Sequence, residues 1–201
     1  MSFTIVGLTG PTGAGKTTVL HVLEEMGAAV LDCDAIYHDL TRSSQPMRQE
    51  LEQRFGSDIY DLQGTLQRKV LGAKVFGDPQ ALEELNAITH RYIHLEIQHR
   101  LNQAREAGKE VAVVDAIALI ESGLADICQV TVAVVAQPET RIGRIMARDG
   151  IDEGYARKRV EAQKPVSFFE SHCQYTLHND GDDPGQLKAE ATALFDHIFH
   201  R

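Results

Sequence analysis

Phe3-Thr4-Ile5-Val6-Gly7-Leu8-Thr9-Gly10-Pro11-Thr12-Gly13-Ala14-Gly15-Lys16-Thr17-Thr18 decides the fold. The run Phe3 to Leu8 is apolar enough for a buried strand. Gly10 to Thr17 reads G-x-x-x-x-G-K-[ST], and Val19, Val22, Leu23 and Met26 then recur at i, i+3, i+4, i+7, the period of one helix face. Strand, glycine-rich turn and helix form the context in which this motif cradles phosphate. The glycines let the backbone curl and aim successive N–H groups inward, and the new helix adds the positive end of its dipole. Lys16 is expected to reach the outer phosphates of a nucleoside triphosphate such as ATP, and the Thr17 hydroxyl to hold Mg²⁺. Gly13, Ala14, Gly15, Lys16, Thr17 and Thr18 are the expected nucleotide contacts.

Working outward, 201 residues with 43% hydrophobic and 24% charged side chains suit one α/β domain, 1–201. The longest apolar run, Val111 to Ile120, is short for a membrane span and is broken by Asp115. Met1 leads directly into the first strand with no secretion signal, so a cytoplasmic location and no membrane partner are expected. The formal net charge of −9 argues against an overall nucleic-acid-binding surface, so an anionic ligand must be held by local positive charge. Cys33, Cys128 and Cys173 form no C-x-x-C and read as free thiols.

Ala29-Val30-Leu31 reads as a second strand ending in Asp32-Cys33-Asp34, carboxylates at the strand end where open α/β sheets bind ligands. Either carboxylate can instead cap the helix that follows. Residues 41–110 carry no convincing strand and read as a helical insertion that covers the acceptor. Ser43 to Pro46 is expected to be a loop and Met47 to Phe55 a helix. Gly64-Thr65 opens a further helix, and Asp78-Pro79 a long one to about Glu106 with Leu82, Leu85, Ile88, Tyr92 and Leu95 inward. Asp61-Leu62-Gln63-Gly64 fits D-x-x-G but lacks a strand context. His90 and His94 have zinc-compatible spacing, but the sequence shows no partners to complete a site.

Glu110 to Val114 is the third strand, and Asp115 at its end has the position of a carboxylate that meets Mg²⁺ directly or through water. Val130 to Val135 is the fourth strand and Tyr175 to Leu177 the fifth. Between them lies the densest basic segment. Arg141, Arg144 and Arg148 fall on one face of a helix, with Ile142, Ile145 and Met146 on the other; Gly150 ends it, and Asp152 caps a second helix to Gln163. Residues 139–164 read as a mobile lid, since phosphoryl transfer needs arginines over the γ-phosphate. Asp183-Pro184 begins the last helix. The expected architecture is a doubly wound parallel five-stranded sheet of the P-loop kinase type, with a helical substrate insertion and a lid. No guanine-reading N-K-x-D is present, and a small-molecule kinase remains.

An ordered series of motifs sharpens this. Leu8 to Thr17, Met26-Gly27, Asp32-Cys33-Asp34, Gly64 to Arg68, Phe76 with Pro79, Leu85 to His90, Glu121 to Leu124, Arg148-Asp149, Arg159 to Gln163 and Asn179 to Gly181 together resemble the dephospho-CoA kinases. The resemblance implies ATP-dependent phosphorylation of the ribose 3′-hydroxyl of dephospho-CoA, giving CoA and ADP. It implies that Asp34 serves as base or orienter for that hydroxyl, that Lys16, Arg144 and Arg148 neutralise the transferring group, that Asn179 and Gly181 lie by the adenine, and that His90 faces the acceptor. Other P-loop small-molecule kinases, or a non-catalytic ATP-binding module, are the alternatives. Three places depart from the family pattern: Pro11-Thr12 for Gly and an apolar residue, His90-Arg91 for His-Pro, and Ile117-Ala118-Leu119 for Pro-Leu-Leu. The second would let the long helix run on unbroken. The oligomeric state is open, with a monomer the default expectation.

Overall fold

The opening apolar run forms β1 (Thr4–Thr9), the central strand of a five-stranded sheet in the computed structural model, which describes residues 3–181 and 183–199. Met1, named above as leading into the first strand, lies outside the described residues. β2 (Ala29–Asp32), β3 (Val111–Asp115), β4 (Val130–Val135) and β5 (Tyr175–His178) complete the sheet in the order β2-β3-β1-β4-β5. β1 pairs in parallel with β3, placing Leu8 beside Asp115, and with β4, placing Leu8 beside Val132; β4 pairs in parallel with β5. The sheet is the expected doubly wound parallel one. Its C-terminal strand ends share one edge, so the β1–α1 turn and Asp115 come together without any sequence proximity.

The chain divides into two compact units, one running through Leu31 and again from Ala104, the other Asp32–Gln103. The first holds the sheet, with α1 (Lys16–Glu25), α6 (Pro138–Asp149), α7 (Glu153–Glu161), α8 (Val166–His172) and α9 (Pro184–Phe199). Strand periodicity explains its packing. Val6 and Leu8, Val111 and Val113, and Val132 and Val134 point to one face, where Val19, Val22 and Leu23 of α1 meet Leu187, Ala191 and Phe195 of α9. Ala133 and Val135 point to the other face and pack on Phe169 of α8. Both faces are covered, so the strands read as continuous apolar runs rather than alternating ones. The sequence carries no sign of helix α8, because Val166-Ser167-Phe168-Phe169 is too short to show a period.

The second unit contains α2 (Cys33–Ser43), α3 (Gln45–Phe55), α4 (Arg68–Val75) and most of α5 (Pro79–Glu106). Met47, Leu51 and Phe55 line one stripe of α3 and pack with Ile59, Tyr60, Leu66, Leu71 and Ala81. The expected loop at Ser43 to Pro46 is reduced to a single residue, Ser44. Its hydroxyl accepts from the Met47 N–H and starts α3 at once, with Pro46 in the first turn. The helix expected from Gly64 begins only at Arg68. Asp61 accepts from the N–H groups of Gln63 and Thr65, and Tyr60 bridges Leu66, so Asp61 to Gly64 is a side-chain-stabilised turn. Helix α5 runs unbroken past His90-Arg91, as the missing proline allows. Leu85, Ile88 and Tyr92 face the cluster, but Leu82 and Leu95 are 45% and 62% exposed. At 100° per residue they stand at opposite flanks of the stripe, outside its buried centre.

Candidate functional site

The turn after β1 is shaped by contacts that admit no side chain. Gly10 has φ 138°, and a Cβ there would lie 2.0 Å from the Val134 carbonyl oxygen. Gly15 has φ 105°, and a Cβ there would lie 2.3 Å from the Asn179 amide nitrogen. Between them the Ala14 N–H donates to the Pro11 carbonyl, 3.2 Å, closing the curl. Helix α1 starts at Lys16 with Gly15 as its N-cap, no side-chain cap and no acidic residue in the first turn. Its leading N–H groups and dipole are therefore not compensated by a side chain, which suits an anion.

Lys16 Nζ stands 3.8 Å from Asp115 Oδ1, and both side chains are largely buried. The strand register makes this pair, because Asp115 lies beside Leu8 and the loop leaves β1 one residue later. Thr17 is in the first turn of α1 and exposed. A hydroxyl and a carboxylate are hard oxygen donors, the set that Mg²⁺ selects, so Thr17 and Asp115 fit the expected ion.

Asn179 and Arg144 join the loop to the turn after β5. The Asn179 side-chain amide donates to the Ala14 carbonyl at 2.8 Å. The Arg144 guanidinium donates to the carbonyls of Asn179 and Gly181 at 2.8 and 2.9 Å, and lies 3.5 Å from the Gly13 carbonyl. Arg148 forks onto Asp149 at 2.7 and 3.0 Å, and Arg159 holds the same carboxylate at 2.6 Å. These guanidinium hydrogen bonds hold the Asp149 pKa down at about 2.

Arg141 does not lie on a solvated basic face. It is 2% exposed, donates from Nε to the Thr12 carbonyl at 2.9 Å, and hydrogen-bonds Gln163. The signal was present in the spacing: Arg141 stands next to Ile142 and four residues before Ile145, on the buried stripe of α6. Gln163, which the sequence marks as a helix end and as the last residue of the Arg159 to Gln163 motif, accepts from the Thr12 N–H at 3.0 Å and donates to the Thr12 hydroxyl at 3.1 Å. A groove of about 330 Å³ opens beside Pro11, lined also by Ile117, Ala118, Glu121 and Phe169.

In the second unit, Asp32 is a cap: its Oδ1 accepts from the N–H groups of Asp34 and Ala35 at 2.8 and 3.0 Å. Asp34 is exposed in the first turn of α2, its carboxylate not used by that cap. His90 is half-buried on α5, and burial, reinforced by His94, pulls its pKa below the ordinary value. None of the three cysteines is in a disulfide; burial pushes Cys128 up to about 12, which makes it a poor nucleophile.

The family model described as dephospho-CoA kinase matches residues 4–184. The chain belongs to the dephospho-CoA kinase family. A dephospho-CoA kinase from Corynebacterium glutamicum is 36% identical over 196 residues, covering 98% of each chain. A Thermus thermophilus protein of known crystal structure superposes with a TM-score of 0.79 at 28% identity, covering 98% of each chain. The dephospho-CoA kinase of Campylobacter jejuni shares the fold, with a TM-score of 0.60 at 18% identity and 97% of each chain covered. Membership of this family makes the protein a kinase. No helix among the described residues is long and apolar enough to cross a membrane.

Proposed function

We propose that this chain transfers the γ-phosphoryl group of Mg·ATP to the ribose 3′-hydroxyl of dephospho-CoA, releasing CoA and ADP. The observation that carries the reading is the Lys16–Asp115 pair, set at the ends of β1 and β3 in a chain that matches this family over nearly its whole length. The N–H groups of Gly13 to Thr18 hold the β- and γ-phosphates, and Lys16 turns from Asp115 onto them. Thr17 and Asp115 hold the Mg²⁺, which when bound neutralises charge on the phosphates. Asp34 orients the acceptor hydroxyl and takes its proton as the new P–O bond forms and ADP leaves. Arg144 is hydrogen-bonded to neutral carbonyls, so its charge is not cancelled and serves the transferring group. Arg148, matched by Asp149, joins it when that fork opens. Asn179 and Gly181 flank the adenine, and His90 contacts the acceptor. Residues 139–164 close over the nucleotide and exclude water, so that ATP is not hydrolysed. The partners are small molecules in the cytoplasm, with no nucleic acid or membrane, and the reaction needs no second copy of the chain.

The test is ADP release on mixing the protein and Mg·ATP with dephospho-CoA, against AMP, CMP, shikimate and gluconate as acceptors. Phosphorus NMR should show a new 3′-phosphomonoester with dephospho-CoA alone. Turnover of another acceptor without dephospho-CoA overturns the assignment, and nucleotide binding with no turnover points to a binding module.

A further inference from the structure

The contacts of Thr12 join the phosphate loop to both ends of the 139–164 segment. Its carbonyl receives Arg141 Nε, its N–H goes to Gln163 Oε1, and its hydroxyl receives Gln163 Nε2. Arg141 also donates to Gln163 Oε1, closing the network. The amide orientation of Gln163 follows from its partners: the atom that meets two N–H donors must be the oxygen, and the atom that meets a hydroxyl is then the donor. Arg141 is 2% exposed and lies flush on the loop; a Cβ at Gly13 would meet the Arg141 carbonyl oxygen at 3.0 Å. Neither Arg141 nor Gln163 has a role in the chemistry described above.

We propose that Arg141 and Gln163 are positioning residues that brace Thr12 and so fix the curvature of the phosphate loop, coupling the roots of the 139–164 segment to the grip on the nucleotide's outer phosphates. The physical reason is leverage. Gly13, which begins the run of phosphate-binding N–H groups, is the next residue after Thr12, and glycine alone does not hold a shape. A loop that must be ordered at the moment of binding loses affinity by the ordering cost; a braced loop does not. The brace acts on phosphates beyond the first, so its removal should discriminate ADP from AMP. The proposal rests on the nucleotide-binding reading above, but not on the identity of the acceptor.

The experiment measures ADP and AMP binding calorimetrically for the wild type, Gln163→Ala, Thr12→Val and the double variant, with melting temperatures for each. Gln163→Ala should weaken ADP about tenfold, the scale of one to two hydrogen bonds, and AMP by less than about twofold. Thr12→Val removes only the hydroxyl contact and should cost ADP about threefold. The double variant should be no worse than Gln163→Ala alone, since both act through one contact. Gln163→Glu keeps an acceptor for Thr12 N–H and Arg141 and should recover most of the ADP affinity. In steady state, Gln163→Ala should raise KM for ATP and leave KM for dephospho-CoA unchanged. Equal losses for ADP and AMP, with a fall in melting temperature, mean a merely structural contact and overturn the proposal. So does unchanged ADP binding. A wild type that binds no ADP overturns the nucleotide reading and the brace together, whereas a wild type that binds ADP but ignores dephospho-CoA leaves the brace standing.

Discussion

Lys16 Nζ lies 3.8 Å from Asp115 Oδ1, a contact between the residue after the glycine loop and the last residue of a strand that follows about half the chain later. Each side chain is 15% exposed. Partial burial strengthens the attraction relative to water and holds the ammonium at the strand ends. Replacing Lys16 by Ala should lower kcat/KM for ATP by about 10²–10³, the scale of losing one group that stabilises transition-state charge. Lys16→Arg should recover little, because a planar fork does not occupy the place of a point charge. Steady-state kinetics with ATP varied checks both.

Asp115→Asn keeps the shape of the side chain and removes its charge. The Mg²⁺ concentration for half-maximal rate should rise about ten- to a hundredfold, with much of the maximal rate recovered at saturating metal. A magnesium titration of the rate at fixed ATP reads this directly.

Asp34→Asn should leave ADP affinity within about twofold and lower kcat by about 10²–10⁴, the range for a removed general base. Calorimetry measures the first and single-turnover kinetics the second. An unchanged kcat removes Asp34 from the chemistry.

Asn179 and Arg144 form one tie between the loop and the turn after β5, through the Ala14 carbonyl on one side and the Gly181 carbonyl on the other. Asn179→Ala and Arg144→Ala should therefore be less than additive in nucleotide affinity, whereas either combined with Asp34→Asn should be additive. A double-mutant cycle in KM for ATP tests the coupling.

Phe195 is fully buried between α9, α1 and the sheet. Phe195→Ala should cost about 3–5 kcal/mol of stability, the usual range for emptying an aromatic site. The chain has no Trp, so urea unfolding followed by far-UV circular dichroism is the measurement.

His90 has its folded-state pKa below the ordinary 6.5, first through burial and then through His94. The unfolded chain therefore takes up this proton first as pH falls. Stability should decline as pH drops through about 6.5, and the decline should level off below the folded pKa. His90→Asn should flatten that part of the curve. Urea midpoints at several pH values from about 7.5 to 5.5 compare the two proteins.

The sequence by itself determined the parallel sheet, the phosphate loop, the long helix to Glu106 and the family. Each of these is written locally: apolar runs of strand length, a motif whose glycines answer to backbone geometry, a helical period with Pro79 at its start and Gly108 after its end. The tertiary structure decided which polar residues serve the loop. Arg141 and Arg144 look alike in a basic run, yet one is buried against Thr12 and the other grips Asn179 and Gly181. Asp32 and Asp34 look alike at a strand end, yet Asp32 is used as a cap. Gln163 carries no motif signal of its own for Thr12, which is 151 residues away in sequence. Periodicity and propensity report what a residue does to its own helix or strand. Partners of this separation are set only when β1, β4 and the helices between β4 and β5 pack, and a buried guanidinium or amide then takes whatever acceptor the packing leaves beside it.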